Sequence, residues 1–181
     1  VDISSSTTAP FIVQSAKKVI VTLADNTVNK FTDSARSTTE SEDYSAAFYS
    51  KADLVLNGSG TLNINAGYRN GIKSTDDLKV VSGTYQITAA EDSVIGKDLL
   101  GIADGNFTIK SGTDGMKSTD DKDTTKGNII IAGGIFKIEA ASDGIQAENI
   151  LDIQNGTFDI TTGNGSAAVD MKSGDSGAMG G

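Results

Sequence analysis

The amino-acid sequence predicts an all-β fold, a three-sided parallel β-helix (a solenoid) with coils of about 22 residues. Three observations support this prediction. A five-residue segment recurs at an almost constant step, two further columns of residues keep the same step, and the composition suits many short strands. Of the 181 residues, 21 are glycine, and only Pro10 is proline. Glycine permits tight turns between strands, whereas proline interrupts a sheet.

The recurring segment begins with glycine and ends with isoleucine. It reads Gly60-Thr61-Leu62-Asn63-Ile64, Gly83-Thr84-Tyr85-Gln86-Ile87, Gly105-Asn106-Phe107-Thr108-Ile109, Gly134-Ile135-Phe136-Lys137-Ile138 and Gly156-Thr157-Phe158-Asp159-Ile160. The steps between successive glycines are 23, 22, 29 and 22 residues. Alternating apolar positions indicate a strand that turns every second side chain inward.

Two further columns keep the same steps. Alternating apolar pairs precede the segment at Leu54/Leu56, Leu78/Val80, Leu100/Ile102, Ile129/Ile131 and Leu151/Ile153. Short turn sequences follow it at Asn70-Gly71-Ile72, Asp92-Ser93-Val94, Asp114-Gly115-Met116 and Asp143-Gly144-Ile145. Each unit therefore contains three strands and two turns. A unit this small buries its apolar face only by stacking on its neighbours, with strands about 4.8 Å apart. The units lack the helical half of a leucine-rich repeat.

The repeat also predicts the domain organisation. We expect residues 1–45 to form an N-terminal cap and the first coil, and Val19 to Leu23 to form a strand. Residues 46–173 are predicted to form the coils, and residues 174–181 a flexible, glycine-rich tail. No apolar capping element follows Val169, so we expect further coils or a partner at the C-terminal end.

The 29-residue step contains seven residues more than the 22-residue steps beside it. The extra residues fall in the segment 118–126, between the third strand of one unit and the first strand of the next. An insertion in a solenoid forms a loop on one face, which is often the binding face.

Charge and residue types exclude several classes of function. The formal charge is −9, from 24 acidic and 15 basic residues, which argues against a nucleic-acid partner. Without histidine or cysteine the chain has no usual zinc ligands, disulfides or Cys/His nucleophile. No apolar run approaches the roughly 18–20 residues of a membrane span, so we expect no membrane insertion. Carboxylates and carbonyls remain, and these are ligands for hard cations.

Acidic residues recur in columns of the repeat. Asp92, Asp114 and Asp143 occupy one column before the third strand, and Asp76 and Asp98 occupy another after it. Two bare carboxylates in adjacent coils repel by about 1 kcal/mol in water and by more at a lower dielectric. Ca²⁺ would relieve this repulsion. The predicted ligands are Asp76, Asp77, Asp92, Asp98, Asp114, Asp120, Asp121 and Asp143. Ordinary turn chemistry, in which Asp and Asn bond the local backbone, is the alternative.

The ordered set of motifs identifies a family resemblance. The segments 47–62 (Ala-Phe-Tyr-Ser-Lys-Ala-Asp-Leu-Val-Leu-Asn-Gly-Ser-Gly-Thr-Leu) and 70–79 (Asn-Gly-Ile-Lys-Ser-Thr-Asp-Asp-Leu-Lys) resemble a bacterial surface carbohydrate-binding family with a polysaccharide-lyase-like β-helix. The similarity runs from about residue 19 to residue 170. It implies a right-handed helix, several bound Ca²⁺ ions, and a secreted, extracellular or cell-surface bacterial protein. The expected partner is plant cell-wall polysaccharide, namely cellulose and acidic pectic sugars.

Three side chains are the predicted polysaccharide contacts. Lys73 and Lys117 hold equivalent positions beside the third strand and could meet acidic sugars, and Tyr68 offers a ring for sugar stacking. We therefore predict a non-catalytic, calcium-dependent polysaccharide binder. A pectate lyase is an alternative, with Lys73 or Lys117 as the base beside Ca²⁺. A structural surface stalk or adhesin is the third interpretation, since fold alone does not confer activity.

Overall fold

A computed structural model of the protein describes residues 1–35 and 44–163. It shows three parallel sheets of short strands, each sheet forming one side of a solenoid, and the predicted three-sided parallel β-helix is confirmed. Strands are numbered in chain order, and successive strands of a coil belong to sheets A, B and C in turn. The described part of the chain contains no helix that is long and apolar enough to cross a bilayer.

Sheet A has seven strands: β1 (Asp2–Ser5), β4 (Val28–Asp33), β7 (Thr61–Ala66), β10 (Thr84–Ala89), β13 (Asn106–Ser111), β16 (Ile135–Ala140) and β19 (Thr157–Thr162). Sheet B has six: β2 (Phe11–Val13), β5 (Ala46–Ser50), β8 (Asn70–Ser74), β11 (Val94–Gly96), β14 (Met116–Ser118) and β17 (Ile145–Ala147). Sheet C also has six: β3 (Lys18–Leu23), β6 (Asp53–Gly58), β9 (Asp77–Val80), β12 (Leu99–Ile102), β15 (Asn128–Ile131) and β18 (Leu151–Ile153).

The repeat columns of the sequence are the registers of the sheets. In sheet A, Ile87 pairs with Ile64 on one side and Ile109 on the other. In sheet C, Leu78 likewise pairs with Leu54 and Leu100. Each residue therefore stacks on its own equivalent in the next coil.

The ends of the chain bear on the predicted domain organisation. The segment 1–45, predicted as cap and first coil, contains β1 to β4, and these strands enter the same three sheets as the later ones. The strand predicted from Val19 to Leu23 is β3. The predicted tail, 174–181, and the expected continuation beyond Val169 lie outside the described residues.

The insertion leaves the register intact. It joins β14 of sheet B to β15 of sheet C, and β15 still pairs with β12 before it and β18 after it. The seven additional residues are therefore confined to one corner of the solenoid.

The interior is filled by columns of apolar side chains, which alternate with outward-facing ones along the strands of sheet A. Four aromatic side chains form a stack beneath sheet A. The ring centroids of Tyr85, Phe107, Phe136 and Phe158 are separated by 4.9, 5.0 and 4.6 Å in turn, with interplanar angles of at most 14°. The buried Tyr85 hydroxyl donates a hydrogen bond to the carbonyl oxygen of Ser82 at 2.7 Å.

The stack requires the glycine that begins four of the five recurring segments, namely Gly83, Gly105, Gly134 and Gly156. Gly105 has a φ of 147°, a conformation that side chains disfavour. A Cβ added there would lie 2.9 Å from Cε2 of Phe107, and one added at Gly134 would lie 3.0 Å from Cε2 of Phe136. The glycine column thus gives both the turn and the space that the aromatic rings occupy.

We expect Phe107→Ala to lower the free energy of unfolding by about 3–5 kcal/mol, because it removes the middle of the ring stack and leaves a cavity. Phe107→Leu should cost less because it fills part of the space. Thr108→Ala, on the outward face of the same strand, is the control and should change stability by less than about 0.5 kcal/mol. Urea unfolding followed by circular dichroism measures all three. Equal stability of Phe107→Ala and the control would contradict the packing account.

Candidate cation site and charged columns

The first acidic column is a hydrogen-bonded ladder at the turn from sheet A to sheet B. The side-chain oxygen of Asn70 accepts from the backbone N–H of Asp92 at 3.1 Å. Asp92 accepts from the N–H of Asp114, and Asp114 from the N–H of Asp143, each at 3.0 Å. Each side chain thus satisfies a backbone donor one coil further along. The alternative to a metal was bonding to the local backbone, but these bonds go to the backbone of the next coil instead.

A lysine supplies the counter-charge for this ladder. Nζ of Lys117 lies 2.6 Å from Oδ2 of Asp114. Burial lowers the pKa of Lys117, but the hydrogen bond that Lys117 donates to Asp114 and the charges of Asp92, Asp114 and Asp143 outweigh burial and raise it. Lys117 therefore relieves the repulsion that had suggested a metal for this column, and the predicted metal-ligand role of these aspartates stays a prediction.

Lys73, the equivalent lysine two coils earlier, has a different environment. Its Nζ donates to Oγ of Ser45 at 3.2 Å. Burial and the nearby Arg69 lower the pKa of Lys73, although Asp92 and Glu91 act in the opposite direction. Lys73 and Lys117 lie in one outward column of sheet B, on either side of Ile95. The third predicted contact, Tyr68, lies at the preceding turn, 5.8 Å from the guanidinium of Arg69.

The second acidic column is crosslinked by lysines at the corner between sheets B and C. Nζ of Lys97 lies 2.6 Å from Oδ2 of Asp120 and 3.4 Å from Oδ1 of Asp98. Nζ of Lys126, at the end of the insertion, lies 2.6 Å from Oδ2 of Asp98. The hydrogen bond from Lys97 and those from two backbone N–H groups of the insertion hold the pKa of Asp120 well below its usual range. These ion pairs attach the insertion to the preceding coil.

The remaining predicted ligand of the insertion is exposed. Asp121 lines a shallow cavity of about 130 Å³ together with Asp123, Glu148 and Asn149. This cavity is two coils further along the solenoid than Asp76 and Asp77. The structure therefore divides the predicted metal ligands among separate places.

One group of three carboxylates stands out among the described residues. Asp53, Asp76 and Asp77 offer oxygen atoms that all lie within 4.8 Å of one another. The group lies at the same corner, between sheets B and C, in the second and third coils. Lys79 pairs with Asp77 at 2.8 Å and Lys18 with Asp53 at 4.0 Å. In the part of the chain that the structure describes, Asp76 has no basic side chain within ion-pair distance.

The electrostatics of Asp76 indicate a deficit of positive charge. Its pKa is raised by burial, by the charge of Asp53, and by a hydrogen bond and charge interaction with Asp98. A raised pKa means that a proton on Asp76 is favoured, since it offsets the neighbouring negative charges. A bound cation would offset the same charges.

The geometry of the three carboxylates fits Ca²⁺. The ion takes 6–8 oxygen ligands at 2.3–2.6 Å, so two ligands of one ion lie at most about 5 Å apart. If Ca²⁺ binds here, Asp53, Asp76 and Asp77 would hold it. The sequence interpretation missed Asp53, although a signal was present. Asp53 precedes Leu54 as Asp77 precedes Leu78, and those leucines pair in the sheet.

We expect Lys117→Met to destabilise the fold by about 1–3 kcal/mol, because it leaves the half-buried aspartate ladder without its ammonium group. Lys137→Met, at an outward position on sheet A, is the matched control and should lie within about 0.5 kcal/mol of the parent. Denaturant unfolding measures both variants. If they are equally stable, Lys117 does not neutralise the ladder.

Comparisons with known proteins agree with this architecture. The family model of the carbohydrate-binding domain-containing proteins matches residues 1–181. A protein of Acetivibrio thermocellus with the same description is 35% identical over 92 residues, which are 49% of this chain and 32% of that protein. The chain thus spans about a third of the length of this relative.

A solved structure gives the same result for the fold. It is described as the polysaccharide lyase-like protein from C. thermocellum, in a gadolinium derivative. The two structures align with a TM-score of 0.76 and 29% sequence identity, over 89% of this chain and 69% of that chain. The chain belongs to the family of carbohydrate-binding domain-containing proteins.

Proposed function

We propose that this protein is a non-catalytic, calcium-dependent binder of plant cell-wall polysaccharide, acting outside the bacterial cell or on its surface. The observation that carries the calcium part is the group Asp53, Asp76 and Asp77, whose oxygen atoms are spaced as the ligands of one ion. Family membership supports the carbohydrate part. Acidic pectic sugars and cellulose are the proposed ligands, as the resemblance implied.

The related structure supports a hard-cation site. It was obtained as a gadolinium derivative, and Gd³⁺, like Ca²⁺, is a hard cation that prefers oxygen ligands. The carboxylates of Asp53, Asp76 and Asp77 offer oxygen ligands of this kind. Ca²⁺ bound there would join the second coil to the third, because Asp53 begins β6 and Asp77 begins β9.

The state of Lys117 supports binding without cleavage. A lyase needs a base that takes a proton from the carbon next to the uronate carboxylate, after Ca²⁺ has acidified that proton. Lys117 donates to Asp114 at 2.6 Å, and its raised pKa keeps it protonated. It is therefore a poor base at neutral pH.

Lys73 favours the pectate-lyase alternative. Burial and Arg69 lower its pKa, which is the change that a catalytic lysine requires. However, Nζ of Lys73 contacts Ser45 and lies near the charges of Arg69 and Asp92, at the turn from sheet A to sheet B. The Asp53 group instead lies at the corner between sheets B and C, which follows β8. This separation is why we propose a binder.

Removal of calcium should lower the melting temperature. Free Ca²⁺ at 100 times its Kd stabilises a protein by about 2.7 kcal/mol, which corresponds to roughly 5–10 °C for a chain of this size. Melts with Ca²⁺ and with EDTA at constant ionic strength measure the difference. Asp76→Asn should abolish most of it, whereas Asp152→Asn, on sheet C near the last coil, should keep it. Superimposable curves for the parent protein would contradict a calcium site.

Calcium affinity should fall as the pH falls through the raised pKa of Asp76. Protons compete with the ion for this carboxylate, and because the pKa is raised, they do so at a higher pH than at an ordinary aspartate. Calorimetric titration with Ca²⁺ at several pH values between about 4 and 7 tests this. Proton release on binding, measured in two buffers, should decrease in Asp76→Asn. An affinity that does not change with pH would contradict the role of Asp76.

We expect no cleavage of polygalacturonate in the presence of Ca²⁺. Elimination would create an unsaturated uronide that absorbs in the near ultraviolet, so absorbance gives a direct measurement. Pull-down of the protein by pectic or cellulosic material without an absorbance change is the expected result. Steady growth of absorbance that Lys73→Ala abolishes would establish the lyase instead. Failure to bind any glycan would favour the stalk or adhesin interpretation.

A further inference from the structure

The outer surface of sheet A carries two columns of polar side chains that run along the solenoid axis. One column consists of Lys30, Asn63, Gln86, Thr108 and Lys137, on five consecutive strands in register. The neighbouring column includes Thr88, Lys110 and Glu139 on the last three of these strands. We call these two columns the A face.

The A face is concave. A shallow cavity of about 630 Å³ lies over it, and the side chains of both columns line this cavity. Lys30 and Lys137 are four strand spacings apart, which is about 19 Å and long enough for several sugar rings. The surface is therefore an open trough that fits an extended polymer.

The charge of the A face differs from that of the whole protein. Three lysines and Glu139 give the cavity lining a net charge of +2, on a chain whose formal charge is −9. Beyond the cavity the first column continues to Asp2 on β1 and Asp159 on β19, the register partners of Lys30 and Lys137. Among the described residues, Lys30, Lys110 and Lys137 have no carboxylate within ion-pair distance. In contrast, four lysines outside sheet A form ion pairs with the protein's own aspartates, namely Lys79, Lys97, Lys117 and Lys126.

Hydrogen-bonding groups lie between the lysines. Gln86, Thr88 and Thr108 project outward, and within the described structure their side chains make no hydrogen bond to other protein groups. Amides and hydroxyls at the spacing of the strands suit the hydroxyl groups of a sugar chain. The aromatic rings of sheet A point inward, into the stack of Tyr85 and the phenylalanines. The described A face thus offers no ring on which a neutral sugar could stack.

We infer that the A face binds a linear acidic polysaccharide that lies along the solenoid axis. Its carboxylates pair directly with Lys30, Lys110 and Lys137, and its hydroxyls bond to the amide and hydroxyl groups between them. This inference rests on the proposed function, and it selects acidic polymers over crystalline cellulose. The Asp53 group lies at the corner between sheets B and C, opposite sheet A. Calcium bound there would therefore make binding calcium-dependent only through the stability of the fold, and it would not bridge protein and polymer.

The test is a charge-matched comparison of two triple variants. Lys30→Gln/Lys110→Gln/Lys137→Gln removes the A-face cations. Lys17→Gln/Lys51→Gln/Lys122→Gln makes the same change in net charge elsewhere on the surface. Circular dichroism and thermal melts establish that both variants fold. Binding to polygalacturonate and to its methyl-esterified, uncharged form is then measured in Ca²⁺-containing buffer, at low salt and at about 0.5 M NaCl.

The parent protein should bind polygalacturonate more tightly than the esterified polymer, and added salt should weaken this binding. The A-face variant should lose about tenfold or more in affinity, the control variant less than about threefold, and Glu139→Gln should bind more tightly than the parent. If the parent binds polygalacturonate and the two triple variants bind it equally, the A face is not the site, although the proposed function stands. If the parent binds no polysaccharide, the proposed function fails, and the inference fails with it.

The role given to calcium has its own control. The parent protein in EDTA, assayed below its melting temperature, should bind polygalacturonate with the affinity that it has in Ca²⁺. Loss of binding in EDTA while the protein remains folded would overturn the assignment of calcium to the fold.

Discussion

The in-register stacking of coils is the constraint on which the rest of the structure depends. Each strand residue lies about 4.8 Å from its partner in the next coil, so each column of the sheets interacts mainly with itself. For apolar residues this self-pairing is favourable, as in the parallel rings of Phe107 and Phe136, whose centroids are 5.0 Å apart. For charged residues the same spacing brings like charges together. The chemistry of the protein therefore depends on how the repulsion within each charged column is offset.

The repulsion between like charges is offset in three different ways along the solenoid. The ladder from Asn70 to Asp143 uses its oxygens to accept backbone N–H groups and places Lys117 beside the carboxylates. The corner with Asp98 is neutralised by lysines, one of which comes from the insertion. At Asp53, Asp76 and Asp77 the local lysines are engaged with two of the three acids, and the pKa of Asp76 is raised. This last group is where an external cation has most to contribute.

The fold could be predicted from the sequence because its signals are local. A glycine two residues before an aromatic, followed by alternating apolar positions, determines one strand and its turn, and repetition shows that the strands stack. The ion pairs could not be predicted in this way. Lys126 reaches Asp98 across 28 residues, and its position depends on the path of the insertion. The A face was missed because Asn63, Gln86 and Thr108 differ in type, and only the register shows that they share a column.

In the ladder beside Lys117, the charge of a side chain can change while the hydrogen bond between coils stays the same. Asn70 and Asp92 accept the same backbone hydrogen bond with the same kind of oxygen, yet one is neutral and the other is not. Exchange between the two residue types therefore alters the charge of a coil by one unit while the bond between coils remains. A lineage of such proteins can change its electrostatic field coil by coil, or lengthen by whole coils, without redesigning the core. Length and charge are then independent variables on which selection can act.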